Sequence, residues 1–196
     1  MALSGFTKAC ASHTPGIARL VLLAADDLAS VTIETNQVKA LSVTSSGDAN
    51  DYTVDRYGLK ATFEGTSDDS GLEYYTHTIE AHVSKLTATL RAKLEEITTE
   101  AACGIIAVLT DQNGSSWVYG LTAPGDVFDA NAQQMGMNVG SMVFDSGMKL
   151  DEEGTDKVVL TLSGIFAEMP MPVLAASTFV AVGTIGSGSD VITAAL

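Results

Sequence analysis

Three histidines, two cysteines and a set of acidic pairs are the side chains of this 196-residue chain best suited to bind metal, move protons or attack a carbonyl. His77 and His82 lie five apart in a stretch that alternates as a strand, so they point to opposite faces and cannot share a ligand. His13 stands in a Ser/Thr/Pro segment. A zinc site or a Ser-His-Asp triad would need partners from across the fold, with no motif to bring them together. Cys10 and Cys103 cannot build a disulfide framework, their spacing fits no metal site, and both read as small core hydrophobes. Asp26-Asp27, Asp68-Asp69, Glu95-Glu96 and Glu152-Glu153 read as solvated charge. Asp48-Ala49-Asn50-Asp51 offers oxygen ligands but lacks the alternating order, the glycine and the distant glutamate of a calcium loop. No GxGxxG, GxxxxGK(S/T) or GxSxG occurs, which removes the usual phosphate cradles and the nucleophile elbow. Asn113-Gly114-Ser115 matches a glycosylation sequon, but with no secretion signal it reads as a turn. Trp117 and Tyr74-Tyr75 have the faces to stack on sugars, although strand aromatics ordinarily serve core and cross-strand packing. The expectation is therefore a protein that is not an enzyme and holds no metal or cofactor.

Composition narrows the class further. Ten Lys and Arg stand against 24 Asp and Glu, a formal net charge of -14, while 46% of residues are hydrophobic and 17% charged. So much apolar material builds a core and excludes a disordered acidic tail. The charge argues against gripping nucleic-acid phosphates, which takes an excess of cations. Residues 17–25 form the most apolar segment, but Arg19 lies inside it and Asp26-Asp27 follow at once. It reads as a buried strand rather than a signal peptide, in a protein made and first folded in a cytoplasm. No run reaches the 18 apolar residues of a membrane span, so no membrane partner is expected.

The elements that would carry these side chains are mostly strands. Residues 19–24 are continuously apolar and suit a strand covered on both faces. Residues 31–34 and 38–43 are β-rich and separated by the turn Thr35-Asn36-Gln37, and 45–51 reads as a polar loop. Residues 56–64 alternate, with Tyr57, Leu59, Ala61 and Phe63 on one face. Residues 72–83 alternate again, Tyr75, Ile79, Ala81 and Val83 opposing Thr76, Thr78, Glu80 and His82. Together they predict a long antiparallel hairpin closed by the loop 65–71.

Leu86, Leu90, Leu94, Ile97 and Ala101 share one face of a helix over 85–102, capped by Ser84 and ended by Gly104. Residues 105–109 and 117–121 flank an Asn-Gly connection, 126–145 gives no clear pattern, and 157–166 is a strand broken by Pro170 and Pro172. Residues 173–196 carry one charged side chain, Asp190. A segment so apolar adds a strand to its own sheet or docks on a neighbouring subunit. The domain plan is thus a β-rich body over 1–172 with an apolar C-terminal extension over 173–196.

The order of elements resembles phage major tail tube proteins, especially those of phages and prophages of Bacteroidetes-type hosts. The likeness rests on IAVLTDQNGSSWVYGL and the late strand KVVLTLSG followed by proline, and spans about residues 17–173 as a pattern of elements. It implies a mainly β fold, a β-sandwich or half-barrel with a long hairpin and one flanking amphipathic helix. Six copies would form a ring whose hairpins complete a barrel around a channel. Stacked rings would make a tube through which genomic DNA passes during ejection. The protein would then be a virion tail component assembled in the host cytoplasm, with copies of itself and other tail proteins as partners and DNA passing without specific binding.

On that reading the polar hairpin face, Thr62, Glu64, Thr76, Thr78 and Glu80, lines the lumen. Tyr57, Leu59, Phe63, Ile79 and Val83 pack inward against Leu86, Leu90 and Leu94. Asp48, Asn50 and Asp51 in the 45–51 loop and Phe179, Val180 and Val182 in the extension are candidates for contacts between subunits. The acidic β-rich character also fits another virion part, such as a capsid decoration protein or a tail terminator. A carbohydrate-binding module would need clustered exposed aromatics, and 6% aromatics with a single Trp provide few.

Overall fold

A strand that is apolar on both faces is stable only between two other layers, and two such strands organise this chain. The computed structural model describes residues 16–43, 49–52, 58–67, 69, 71, 73–84, 88–121, 136–145, 157–173, 178–179 and 191–195. Strand β1 (Ile17–Ala24) leads through a short 3-10 turn (Ala25–Asp27) into β2 (Leu28–Glu34) and β3 (Gln37–Val43). Then come β4 (Ala49–Tyr52), β5 (Leu59–Ser67), β6 (Glu73–Ser84) and the helix α1 (Ala88–Glu100). Strands β7 (Ile105–Asp111), β8 (Ser116–Tyr119), β9 (Asn138–Asp145) and β10 (Lys157–Phe166) follow, with the short β11 (Met171–Pro172), β12 (Thr178–Phe179) and β13 (Val191–Ala195) after them. The described strands form three sheets, ordered β11-β8-β7-β1-β4, β5-β6-β10-β9 and β12-β13-β3-β2. Among the described residues the fold is mainly β with one α-helix, as the alternation patterns predict.

The five-stranded sheet is the middle layer. Strands β1 and β7 pair antiparallel from Ile17↔Asp111 to Ala24↔Ile105. On one face Leu20, Leu22, Ile105, Ala107, Leu109 and Tyr119 meet Leu59, Ile79, Ala81, Val158, Leu160 and Leu162 of the four-stranded sheet containing β5, together with Leu94, Ile97 and Ala101 of α1. On the other, Val21, Leu23, Ile106, Val108 and Val118 meet Leu28, Val38 and Leu41 of the third sheet. Successive residues of one strand thus feed two cores, which is why neither strand shows a polar face.

Local chemistry sets the turns. Thr35 and Asn36 take φ of 53° and 60° between β2 and β3, the left-handed pair of a tight two-residue hairpin. Between β7 and β8 the Asp111 carboxylate accepts the N–H groups of Asn113 and Ser115, each at 2.8 Å, and Gly114 turns at φ 82°. The helix ends at Glu100, two residues before the predicted 102, and residues 85–87 lie outside what is described. Leu94, Ile97 and Ala101 are buried as expected, Leu86 and the Ser84 side chain lie outside what is described, and Gly104 ends the turn at φ 98°. Thr98 and Thr99 donate their hydroxyls to the carbonyls of Leu94 and Glu95, which satisfies residues otherwise poorly suited to a helix.

Several expectations are corrected. Residues 49–52 are not loop: β4 pairs with β1 from Leu20↔Tyr52 to Leu23↔Ala49, because the remaining edge of a buried strand needs backbone partners. The hairpin strands run farther than predicted, Leu59↔Ala81 to Ser67↔Glu73, and beyond the core they leave Phe63 47% exposed beside Tyr75 rather than packed inward. Cys103 is exposed rather than buried, in the turn after α1, where Asp26 beside it raises its thiol pKa. The unpatterned 126–145 stretch contains β9. The described strand β13 of the extension pairs with β3 of its own chain, Ile192↔Leu41 at the centre, which is the first of the two arrangements expected of it.

Candidate functional site

Two arrangements stand out: a polar sheet face and a buried joint between sheets. The face belongs to β5-β6-β10-β9. Register places Thr62 opposite Thr78 and Glu64 opposite Thr76, with Ser163 next to Thr78 and Thr161 next to Glu80 on the other side. Ser141 continues the row beyond Thr161. All five lumen candidates, Thr62, Glu64, Thr76, Thr78 and Glu80, therefore share one face, and each is partly or fully exposed. Lys60 opposes Glu80, and Glu80 also meets His82 Nε2 at 2.7 Å. The alternation did not disclose the apolar members of this face: Ile165, 65% exposed, and Val143.

Strands β5 and β9 form the two edges of this sheet. Their nine and eight residues contain no proline, and no described strand pairs with their outer sides. Long edges of this kind are templates for strand addition.

The joint lies on the opposite, buried face. His77 is wholly inaccessible, in keeping with the strand parity it shares with buried Ile79 and Ala81. Its Nδ1 accepts the Gly120 N–H at 3.2 Å, and its Nε2 lies 2.9 Å from the Glu168 carbonyl. A backbone amide only donates and a carbonyl only accepts, so the ring is neutral with its proton on Nε2. Burial pushes its pKa down to about 4. Tyr119 meets the ring edge-on at 5.4 Å, and Phe166 lies 4.6 Å from it. Gly164 stands opposite His77 and leaves room for that Phe166 ring, which a Cβ would meet at 2.7 Å.

Beside this ring the backbones of three segments touch. Ile105 and Met137 exchange both N–H···O bonds, at 2.8 and 2.6 Å, and Gly136 N–H donates to the Gly120 carbonyl at 2.8 Å. These bonds join β7 and the end of β8 to the start of β9, and hence the middle sheet to the four-stranded one. A Cβ on Gly136 would fall 2.5 Å from Gly104 C and Ile105 N, a separation real side chains do not show. The signal for His77 was present in its parity with Ile79, but a histidine among alternating threonines did not announce burial.

The remaining candidates separate. His82 is on the outer face and His77 on the inner, as the spacing predicts; His13 lies outside the described residues. Tyr74 and Tyr75, adjacent in β6, point to opposite faces and form no stacking platform. Asn50 and Asp51 lie in β4 opposite Leu22 and Val21, and Phe179 lies in β12 opposite Ala194. Asp48, Val180 and Val182 lie outside the described residues, as do Tyr57, Asp68, Glu152 and Glu153. Glu95 and Glu96 pair with Arg91 and Lys93 on the helix surface. Among the described residues no three His, Cys, Asp or Glu side chains are grouped to hold a metal ion, and no helix is long and apolar enough to cross a membrane. Comparison of the chain with protein-family models, with curated proteins and with solved structures gives no match.

Proposed function

We propose that this chain is a virion structural protein, a tail tube subunit that assembles into stacked hexameric rings and conducts genomic DNA during ejection. The observation that carries the reading is the four-stranded sheet: one hydroxyl-rich face, one face sealed on the core, and long strands at both edges. Edge β5 of one copy pairing with edge β9 of the next is a heterologous contact, and such a contact closes into a ring when the rotation between copies is a simple fraction of a turn. The hydroxyl-rich faces then turn inward as one continuous wall, with Thr62, Thr76 and Thr78 toward the channel.

Negative-stain microscopy and light scattering of the purified protein test this. Rings or tubes of uniform bore are expected. Val143→Lys, a cation at an exposed position on an edge strand, should leave the fold intact and abolish the rings. A strict monomer at high concentration would refute the proposal, and discrete trimers that do not stack would place the chain with capsid decoration proteins instead.

A further inference from the structure

His77 is the one described histidine whose two ring nitrogens are both committed to backbone groups, and those groups belong to different parts of the fold. Gly120 follows β8 of the middle sheet, His77 sits in β6 of the four-stranded sheet, and Glu168 lies on the passage from β10 to β11. The ring is therefore a bolt through the corner where the Ile105–Met137 bridge also joins the sheets.

We propose that His77 is an acid-operated latch: a proton arriving at Nδ1 takes the lone pair that holds the Gly120 N–H, and the β8 end of the middle sheet parts from the four-stranded sheet. Nε2 already carries a hydrogen for the Glu168 carbonyl, so a second proton has only Nδ1 to occupy, and there it would face another N–H. Burial opposes the resulting cation, and the Glu168 carbonyl on Nε2, which favours it, does not make up the loss. From β6 the nearest ionisable side chain on that face is Tyr75, which donates to Glu73; from β8 it is Tyr119. Strand β5 places Phe63 opposite, β10 places Gly164 and Phe166, and Glu168 presents its carbonyl. Among the described residues no carboxylate bonds the ring; those of Glu73 and Glu168 act on Tyr75 instead. This latch does not depend on the assembly reading.

The sign follows from the direction of the shift. The unfolded chain takes up the proton near pH 6.5 and the folded chain near pH 4. Stability contributed by neutral His77 is complete above pH 6.5, falls as the pH drops through that window, and levels off below 4. Over the window the folding equilibrium weakens by up to about 300-fold from this group.

Ring and amide nitrogen resonances of the full chain, followed by NMR from pH 7.5 to 3.5, test the latch. His77 should show the Nε2–H tautomer at neutral pH and titrate near pH 4, with the Gly120 amide moving at the same midpoint. In His77→Gln, whose amide can accept from Gly120 and donate to Glu168 but does not titrate, the Gly120 amide should stay constant. Titration of His77 near 6.5, or an unchanged Gly120 curve in the variant, would overturn the proposal. Should His77→Gln not fold, the wild-type amides of Gly120 and Gly114 decide: a shared midpoint for both would equally overturn it.

Discussion

Replacing Gly136 by alanine isolates how much of the fold depends on the corner between its sheets. Gly136 has φ 92°, and an alanine held there costs about 1–2 kcal/mol from crowding of its Cβ against its own backbone. Space adds a second cost. The new carbon would sit 2.5 Å from Gly104 C and Ile105 N, and both are backbone atoms, so no side-chain rotation relieves the contact. The strands must separate, which loosens the two Ile105–Met137 hydrogen bonds at about 1 kcal/mol each. The sum is about 3–4 kcal/mol, a large part of the roughly 5–15 kcal/mol that holds a typical domain together.

Gly114→Ala is the control. It has a similar positive φ of 82° but nothing within 4 Å of an added Cβ, so only the first cost applies. Urea unfolding followed by circular dichroism should show Gly114→Ala losing about 1–2 kcal/mol and Gly136→Ala at least about 2 kcal/mol more. In thermal melts this is a further fall of roughly 4–8 °C for a chain of this size. Equal destabilisation of the two variants would refute the argument, since the strain they share would then be the whole effect.

Two further variants probe parts the same reasoning identifies. Asp111→Ala removes the carboxylate that accepts two backbone N–H bonds in the β7–β8 turn, and should lower stability by about 1–2 kcal/mol in urea titrations. Ile106→Ala, wholly buried in the core between the middle and third sheets, should cost about 2–5 kcal/mol, and a loss under 1 kcal/mol in the same titration would mean that the third sheet contributes little there.

The legible parts of the fold were those where periodicity and position agree. Residues 19–24 read as a strand covered on both faces because no polar residue interrupts them after Arg19, and β1 indeed contributes to both cores. The Thr76, Thr78, Glu80 parity gave the polar face without further help. What stayed hidden lacked a local signal. Residues 49–52 are polar and turn-like, and become a strand only because β1 presents an unfilled edge. His77 is hidden for a related reason: its burial depends on Gly120 and Glu168, 43 and 91 residues away. Gly136 looks like any loop glycine until the Gly104 backbone is brought against it.

Charge is where the structure changes the argument most. The net charge of -14 suggests an acidic channel wall that repels DNA. By register, however, the described part of the candidate wall sets Lys60 beside Glu64 and Glu80, one cation against two anions. If the sheet lines a tube, DNA meets mainly hydroxyls and amides with nearly balanced charge. Such a wall neither holds phosphates nor charges a large electrostatic toll for entry, whereas duplex DNA, with one negative charge per roughly 1.7 Å, would be opposed by a strongly acidic bore along its whole length. On that proposal the passage of DNA would rest on the hydroxyls of Thr62, Thr76, Thr78, Thr161 and Ser163 rather than on repulsion.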